Sequence, residues 1–122
     1  MIYSETKIGI SDNSGVKIGK CIKVLKSSKS SGAKPANIVI ISARKVKFSK
    51  RIIKGEICRG VVIRLKKNIE RESGVFISCI DNSVILIDQK NVPLGTRIFG
   101  PILKELKYDN FPKVISLAKT IL

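Results

Sequence analysis

The residues best equipped for chemistry in this chain are its cations, and they stand in three groups. Lys26, Lys29 and Lys34 share a stretch with Ser, Gly and Ala. Arg44, Lys45, Lys47, Lys50, Arg51 and Lys54 surround Phe48, and Arg64, Lys66, Lys67 and Arg71 form the third group. Lysine supplies a point charge, and arginine a planar fork that holds two phosphate oxygens at once. The chemistry open to such groups is non-covalent: they neutralise a polyanion. One cluster alone is ordinarily a solvated face. Here 24 Lys plus Arg stand against 9 Asp plus Glu, a net charge of +15. Charge of that size repels itself in a small fold, and a phosphate-bearing partner relieves the repulsion.

Other chemistries find little to work with. The chain has no His, which removes the commonest general base and the commonest metal ligand. Cys21, Cys58 and Cys79 are odd in number and form no CxxC, so neither a zinc site nor an oxidised scaffold is expected. They read as small core thiols in a reducing compartment. The acids are scattered, with Glu70 and Glu72 inside a basic stretch, and no paired carboxylates or Ser-Lys arrangement emerges. No enzyme activity, cofactor or metal is therefore expected. Gly15-Val16-Lys17-Ile18-Gly19-Lys20 imitates a phosphate loop. It is one residue short, has Cys21 where Ser or Thr must hold magnesium, and runs into a strand pattern.

Aromatic residues make up only 5% of the chain, too few to line one strand as a stacking platform for successive bases. That points to a folded RNA recognised by shape and backbone. A basic membrane-surface helix does not fit either, since the cations fall in strand and loop patterns. Met1 to Lys7 shows no apolar signal-peptide region, and the longest apolar runs, 38–41 and 84–87, are far too short to span a bilayer.

The elements that must carry these cations are mostly strands. The 122 residues suit one domain, and 43% hydrophobic content suffices for a core. Alternating or apolar runs occur at 7–10, 16–26, 37–48 and 57–65, cut by turn signals such as Asp12-Asn13-Ser14-Gly15 and Lys54-Gly55-Glu56. In the second run Ile22 and Val24 are expected to point one way. In the fourth, Ile57, Val61, Ile63 and Leu65 are expected on one face, and Gly60 marks a bulge or a close backbone approach. Residues 66–74 read as a charged loop. Residues 75–80 and 84–87 are expected to pair as a hairpin around Asp81-Asn82-Ser83. Many short strands with no helix between them argue for a small closed or nearly closed barrel. Beyond Asn91 the pattern changes. Pro101 is placed to open a short helix carrying Ile102, Leu103 and Leu106. Asp109 or Asn110 is placed to cap a second, with Pro112 in its first turn and Phe111, Val114, Ile115 and Ala118 in one stripe.

Several of these segments together resemble a known family. Gly95-Thr96-Arg97-Ile98-Phe99-Gly100-Pro101 followed by Glu105-Leu106 is the strongest element. Asp12-Asn13-Ser14-Gly15, Cys21-Ile22-Lys23-Val24-Leu25, Gly60-Val61-Val62-Ile63-Arg64 with Lys66-Lys67, Asp81-Asn82 and Ile115-Ser116-Leu117-Ala118 support it in order. The chain resembles the universal large-subunit ribosomal protein family L-fourteen, of bacterial-type length. It departs from that pattern at Asn68, where Gly is usual, at Glu70 and Glu72 in a loop usually more basic, and at Cys79, often aromatic.

The resemblance implies a mainly β, single-domain fold over residues 1–122. A small five-stranded antiparallel β-barrel of the OB or SH3 kind, about residues 1–90, precedes a C-terminal loop region with two short helices, about 91–122. It implies a non-catalytic structural constituent of the large ribosomal subunit that binds large-subunit rRNA at the subunit interface, near small-subunit rRNA. Neighbouring proteins of the L-three and L-nineteen families and the ribosome-silencing factor are implied partners. Thr96, Arg97 and Ser116 are the positions that carry over for the last of these. Within the same loop, Arg97 and Phe99 are expected to face rRNA or a protein neighbour, with plain core packing the alternative for Phe99. The Lys- and Ile-rich composition resembles an organelle-encoded gene and favours the mitochondrial matrix over a bacterial cytoplasm or a plastid. The rival function is a free-standing RNA-binding barrel, such as a translation factor or RNA chaperone.

Overall fold

The computed structural model describes residues 2–25, 32–47, 52–108 and 111–122. Turn residues cut the apolar patterning into short strands: β1 (Lys7–Ile10), β2 (Val16–Val24), β3 (Ile38–Val46), β4 (Ile57–Arg64), β5 (Ile69–Glu70), β6 (Phe76–Ile77) and β7 (Ser83–Ile87). Five of them close into a barrel in the order β1-β2-β3-β4-β7. Its pairings are antiparallel except at the closure, where β7 meets β1 in parallel, Gly9 opposite Ser83 and Ile10 opposite Val84.

The expected hairpin between 75–80 and 84–87 does not form. Both edges of β7 are taken, by β4 and β1. β6 pairs instead with β5, a two-residue strand inside the stretch that reads as a charged loop. All five residues of β7 are buried, which explains why Val84 to Ile87 is an unbroken apolar run. Val84 and Leu86 face the barrel interior, while Ile85 and Ile87 face an outer layer.

Two hydrophobic clusters result. The inner one fills the barrel with Ile8, Ile10, Val16, Cys21, Val39, Ile41, Val62, Leu65 and their neighbours. The outer one lies where the C-terminal segment covers β4 and β7, with Ile98, Ile102, Leu103, Leu106, Phe111 and Val114 packed on Val61, Ile63, Ile85 and Ile87. Gly60 lets β4 approach β7 closely on the inner side, where Val84 stands. A Cβ there would lie 3.1 Å from the Ile85 carbonyl oxygen and 3.5 Å from a Val84 methyl, the close approach expected from sequence.

Strand register departs from simple alternation at bulges, each of which redirects the side chains beyond it. Between β4 and β7 the register steps past Ile63, so Leu65 joins the inner cluster while Val61 and Ile63 face out. Ile57, expected on their face, is exposed. Between β2 and β3 the register steps past Lys17, Arg44 and Ile22, and all three side chains are exposed. Ile22 therefore parts company with Val24, which packs on the inner cluster.

The C-terminal region holds a 3-10 helix (Lys104–Tyr108) and one α-helix, α1 (Pro112–Leu117). Pro112 occupies the first turn, and the residue before the helix, Phe111, offers no side-chain cap. The alternative caps, Asp109 and Asn110, lie outside the described residues. Phe111 and Val114 bury their side chains in the outer cluster, with Ile115 and Ala118 half-buried against it.

Candidate nucleic-acid interface and the splinted loop

Seven of the expected phosphate contacts are exposed: Lys34, Arg44, Lys45, Lys47, Lys54, Lys66 and Lys67. Arg44, Lys45 and Lys47 lie at the end of β3 and just past it, where the strand leaves the core. Lys66 and Lys67 follow the end of β4, and the Lys66 amide donates to Asn82 Oδ1 at 2.8 Å, which fixes the departure of that loop. Lys26, Lys29, Lys50 and Arg51 lie outside the described residues, as does Phe48.

Two arginines of the third group face inward, against expectation. Arg64 is only 8% exposed. Its Nε donates to Asp81 Oδ1 at 3.0 Å, and its Nη1 to the carbonyls of Phe99 and Pro101 at 2.8 and 3.1 Å. Its Nη2 donates to Ser11 Oγ, Ser83 Oγ and Asp81 Oδ2 at 2.7, 3.0 and 3.2 Å. Every guanidinium nitrogen is engaged within the protein, which leaves no fork for phosphate. Arg71 is half-buried, paired with both Glu105 carboxylate oxygens at 3.0 and 3.3 Å and with the Leu122 carbonyl at 2.6 Å. It ties the β5–β6 ribbon to the C-terminal segment.

Burial alone would raise the Asp81 carboxyl. Hydrogen bonds from Arg64 and Ser83, with the guanidinium charge, outweigh it and hold the group below its ordinary value. Asp12 goes the other way. Burial raises it, and bonds from the Ser14 hydroxyl and the Leu86 and Ser14 amides offset only part of the effect. Burial likewise raises the Cys21 and Cys58 thiols, and the three cysteines are unpaired.

The loop from Gly95 to Pro101 runs beside the residues that follow β1, between two polar side chains. At its start, Asn13 Oδ1 accepts from the Thr96 and Arg97 amides at 2.7 and 3.1 Å, while Asn13 Nδ2 donates to Thr96 Oγ1 at 2.8 Å. Gly95 is needed there, since a Cβ would stand 2.5 Å from that same oxygen. In the middle, Ile98 is buried and bridges Asp12, and the Phe99 amide donates to the Ser11 carbonyl at 2.8 Å. At its end, Arg64 holds the Phe99 and Pro101 carbonyls. Gly100 has φ +80°, and a Cβ there would collide with the Arg64 guanidinium.

The outward side chains of this loop are Thr96, Arg97 and Phe99, the last 54% exposed, so Phe99 is not core. It borders a groove of about 460 Å³ with Ile80, Pro101 and Leu122. Ser116 is exposed on α1, its hydroxyl donating to the Lys113 carbonyl at 2.8 Å. Asn13, Asp81 and Ser83 stand within turn signals of the sequence and Ser11 in none, yet all four hold this loop or Arg64. Among the described residues, no group of three or more His, Cys, Asp or Glu is placed to hold a metal, and no helix is long and apolar enough to cross a membrane.

Fold and site define a small basic β-barrel protein whose C-terminal segment covers one barrel wall and whose displayed chemistry is cationic. The family model described as ribosomal protein L14p/L23e matches residues 1–122, and the chain belongs to that family. Its members are structural, non-enzymatic proteins of the large ribosomal subunit and serve translation.

Proposed function

We propose that the chain anchors itself on large-subunit rRNA through Lys34, Arg44, Lys45, Lys47, Lys54, Lys66 and Lys67, together with Lys26, Lys29, Lys50 and Arg51. The carrying observation is uncompensated charge. Among the described residues only two ion pairs occur, Arg64–Asp81 and Arg71–Glu105, and both use inward arginines. The exposed cations thus keep their charge for an outside partner, as phosphate binding requires. Arg64 drops out of the contact set because all three guanidinium nitrogens are engaged, and Arg71 because its Nε and Nη2 are committed to Glu105 and Leu122.

The loop displaying Thr96, Arg97 and Phe99 meets rRNA or a neighbouring protein at the subunit interface, near small-subunit rRNA. Proteins of the L-three and L-nineteen families are the expected neighbours, and the ribosome-silencing factor is the expected visitor to Thr96, Arg97 and Ser116. The Lys- and Ile-rich composition favours a mitochondrial ribosome.

Co-sedimentation tests the reading. The protein is expected to remain with the large subunit through moderate salt washing. Recovery as a free protein that exchanges between RNAs would favour a translation factor or RNA chaperone instead.

A further inference from the structure

We infer that Asn13 is a positioning residue for the contact loop, acting through the backbone of Thr96 and Arg97. The inference rests on the proposed role of that loop as a contact surface.

The geometry is specific. One carboxamide meets three groups of the loop, two amides and a hydroxyl, across 83 or 84 positions of sequence. An amide side chain is suited to this, since its oxygen accepts from two N–H groups while its nitrogen donates. The consequence falls on the two residues whose side chains face outward. Bond directions at Cα follow the peptide planes on either side, so fixing both amides fixes where the Thr96 hydroxyl and the Arg97 side chain start. Arg64 does the same at the other end through the Phe99 and Pro101 carbonyls. A loop held at both ends approaches its partner already ordered, which lowers the ordering cost of docking.

Asn13 separates from Arg64 in one practical respect. Removing Arg64 strips partners from Asp81, Ser11 and Ser83 and threatens the fold, whereas the Asn13 bonds lie on the exposed side of the loop. Asn13→Ala is therefore the informative variant.

The test is a double-mutant cycle on the full chain, with Asn13→Ala, Arg97→Ala and the double variant. Each is titrated onto large-subunit core particles from which the protein has been washed. Amide hydrogen exchange on the free variants runs alongside. Each single substitution is expected to weaken binding about tenfold, and the double to be little worse than either single, because coupled residues are not additive. In Asn13→Ala the Thr96 and Arg97 amides are expected to lose protection while the β4 and β7 amides keep theirs. If Arg97→Ala binds like the wild type, the loop is not a contact surface and the inference falls with it. If Arg97→Ala weakens binding but Asn13→Ala does not, or if the two effects simply multiply, the contact surface stands and the positioning role is wrong. Equal loss of protection throughout the barrel would likewise overturn it, by showing that Asn13 supports global stability.

Discussion

Arg64 Nη1 donates to the Phe99 carbonyl at 2.8 Å, joining residues 35 positions apart. Through this bond a buried cation on the barrel wall sets the path of an exposed aromatic. Arg64 is a structural residue surrounded by phosphate-binding candidates, and the two roles have different signatures. Arg64→Ala is expected to cost about 3 kcal/mol of stability, because it leaves buried carbonyl and hydroxyl groups unpaired. Urea denaturation measures it. Arg64→Lys is expected to recover only part, since an ammonium cannot span the same acceptors. A stable Arg64→Ala protein with weakened rRNA binding would reverse the assignment.

Acid is expected to loosen the same region. The folded carboxyl of Asp81 titrates below its unfolded value, so the unfolded chain binds the extra proton. The stability Asp81 contributes is complete above its unfolded value, near 3.8, and is lost as pH falls through the folded one. Asp12 has the opposite sign. Its folded carboxyl is raised, so its contribution declines as pH climbs from 3.8 through the folded value. Thermal melts between pH 2 and 6 should show Asp81→Asn with a flatter acid limb than the wild type. An unchanged limb would remove Asp81 as a source of acid sensitivity.

Salt is the test of the cationic edge. The logarithm of the rRNA-fragment affinity is expected to fall linearly with the logarithm of salt concentration, by roughly 0.7 to 0.9 for each phosphate contacted. Lys45→Ala with Lys47→Ala is expected to weaken binding and make the slope shallower by about one such unit per lost contact. Their side chains are exposed, so the melting temperature should hardly move. Collapse of the fold in this double variant would show that the end of β3 is not free surface.

Gly100 accepts a side chain only at a cost. Its φ is +80°, and a Cβ would meet the Arg64 guanidinium. Gly100→Ala is expected to lose about 2 kcal/mol, combining backbone strain with displacement of the arginine. Gly74, also at φ +80° but with nothing within 4 Å of its Cβ position, is the control, and its Ala variant should lose less. Equal losses would mean that only the backbone angle matters.

What could be read from the residues follows the reach of each interaction. The strands, the barrel and the close approach at Gly60 were legible because they rest on local patterning and residue size. The exposed lysines were legible because an ammonium seldom finds a buried partner. Arg64 was not. Its neighbours Lys66 and Lys67 suggested a cationic cluster, yet its carboxylate lies 17 positions ahead and its carbonyl acceptors 35 and 37. Ile22 was misread because a bulge is a matter of register between two strands and leaves no mark in one. The 75–80 hairpin failed for a similar reason, since an apolar run does not say which neighbours will claim its edges.

The parallel seam between β1 and β7 also governs the order in which the molecule can be made. The first barrel strand leaves the synthesising ribosome some seventy residues before its neighbour, and the outer cluster waits for residues up to Val114. Until then the nascent chain carries open strand edges and a surplus of positive charge. Contacts this distant along the chain make for slow folding, on the order of milliseconds to seconds. A newborn copy therefore cannot close its barrel before β7 has been made, nor cover that wall before Val114.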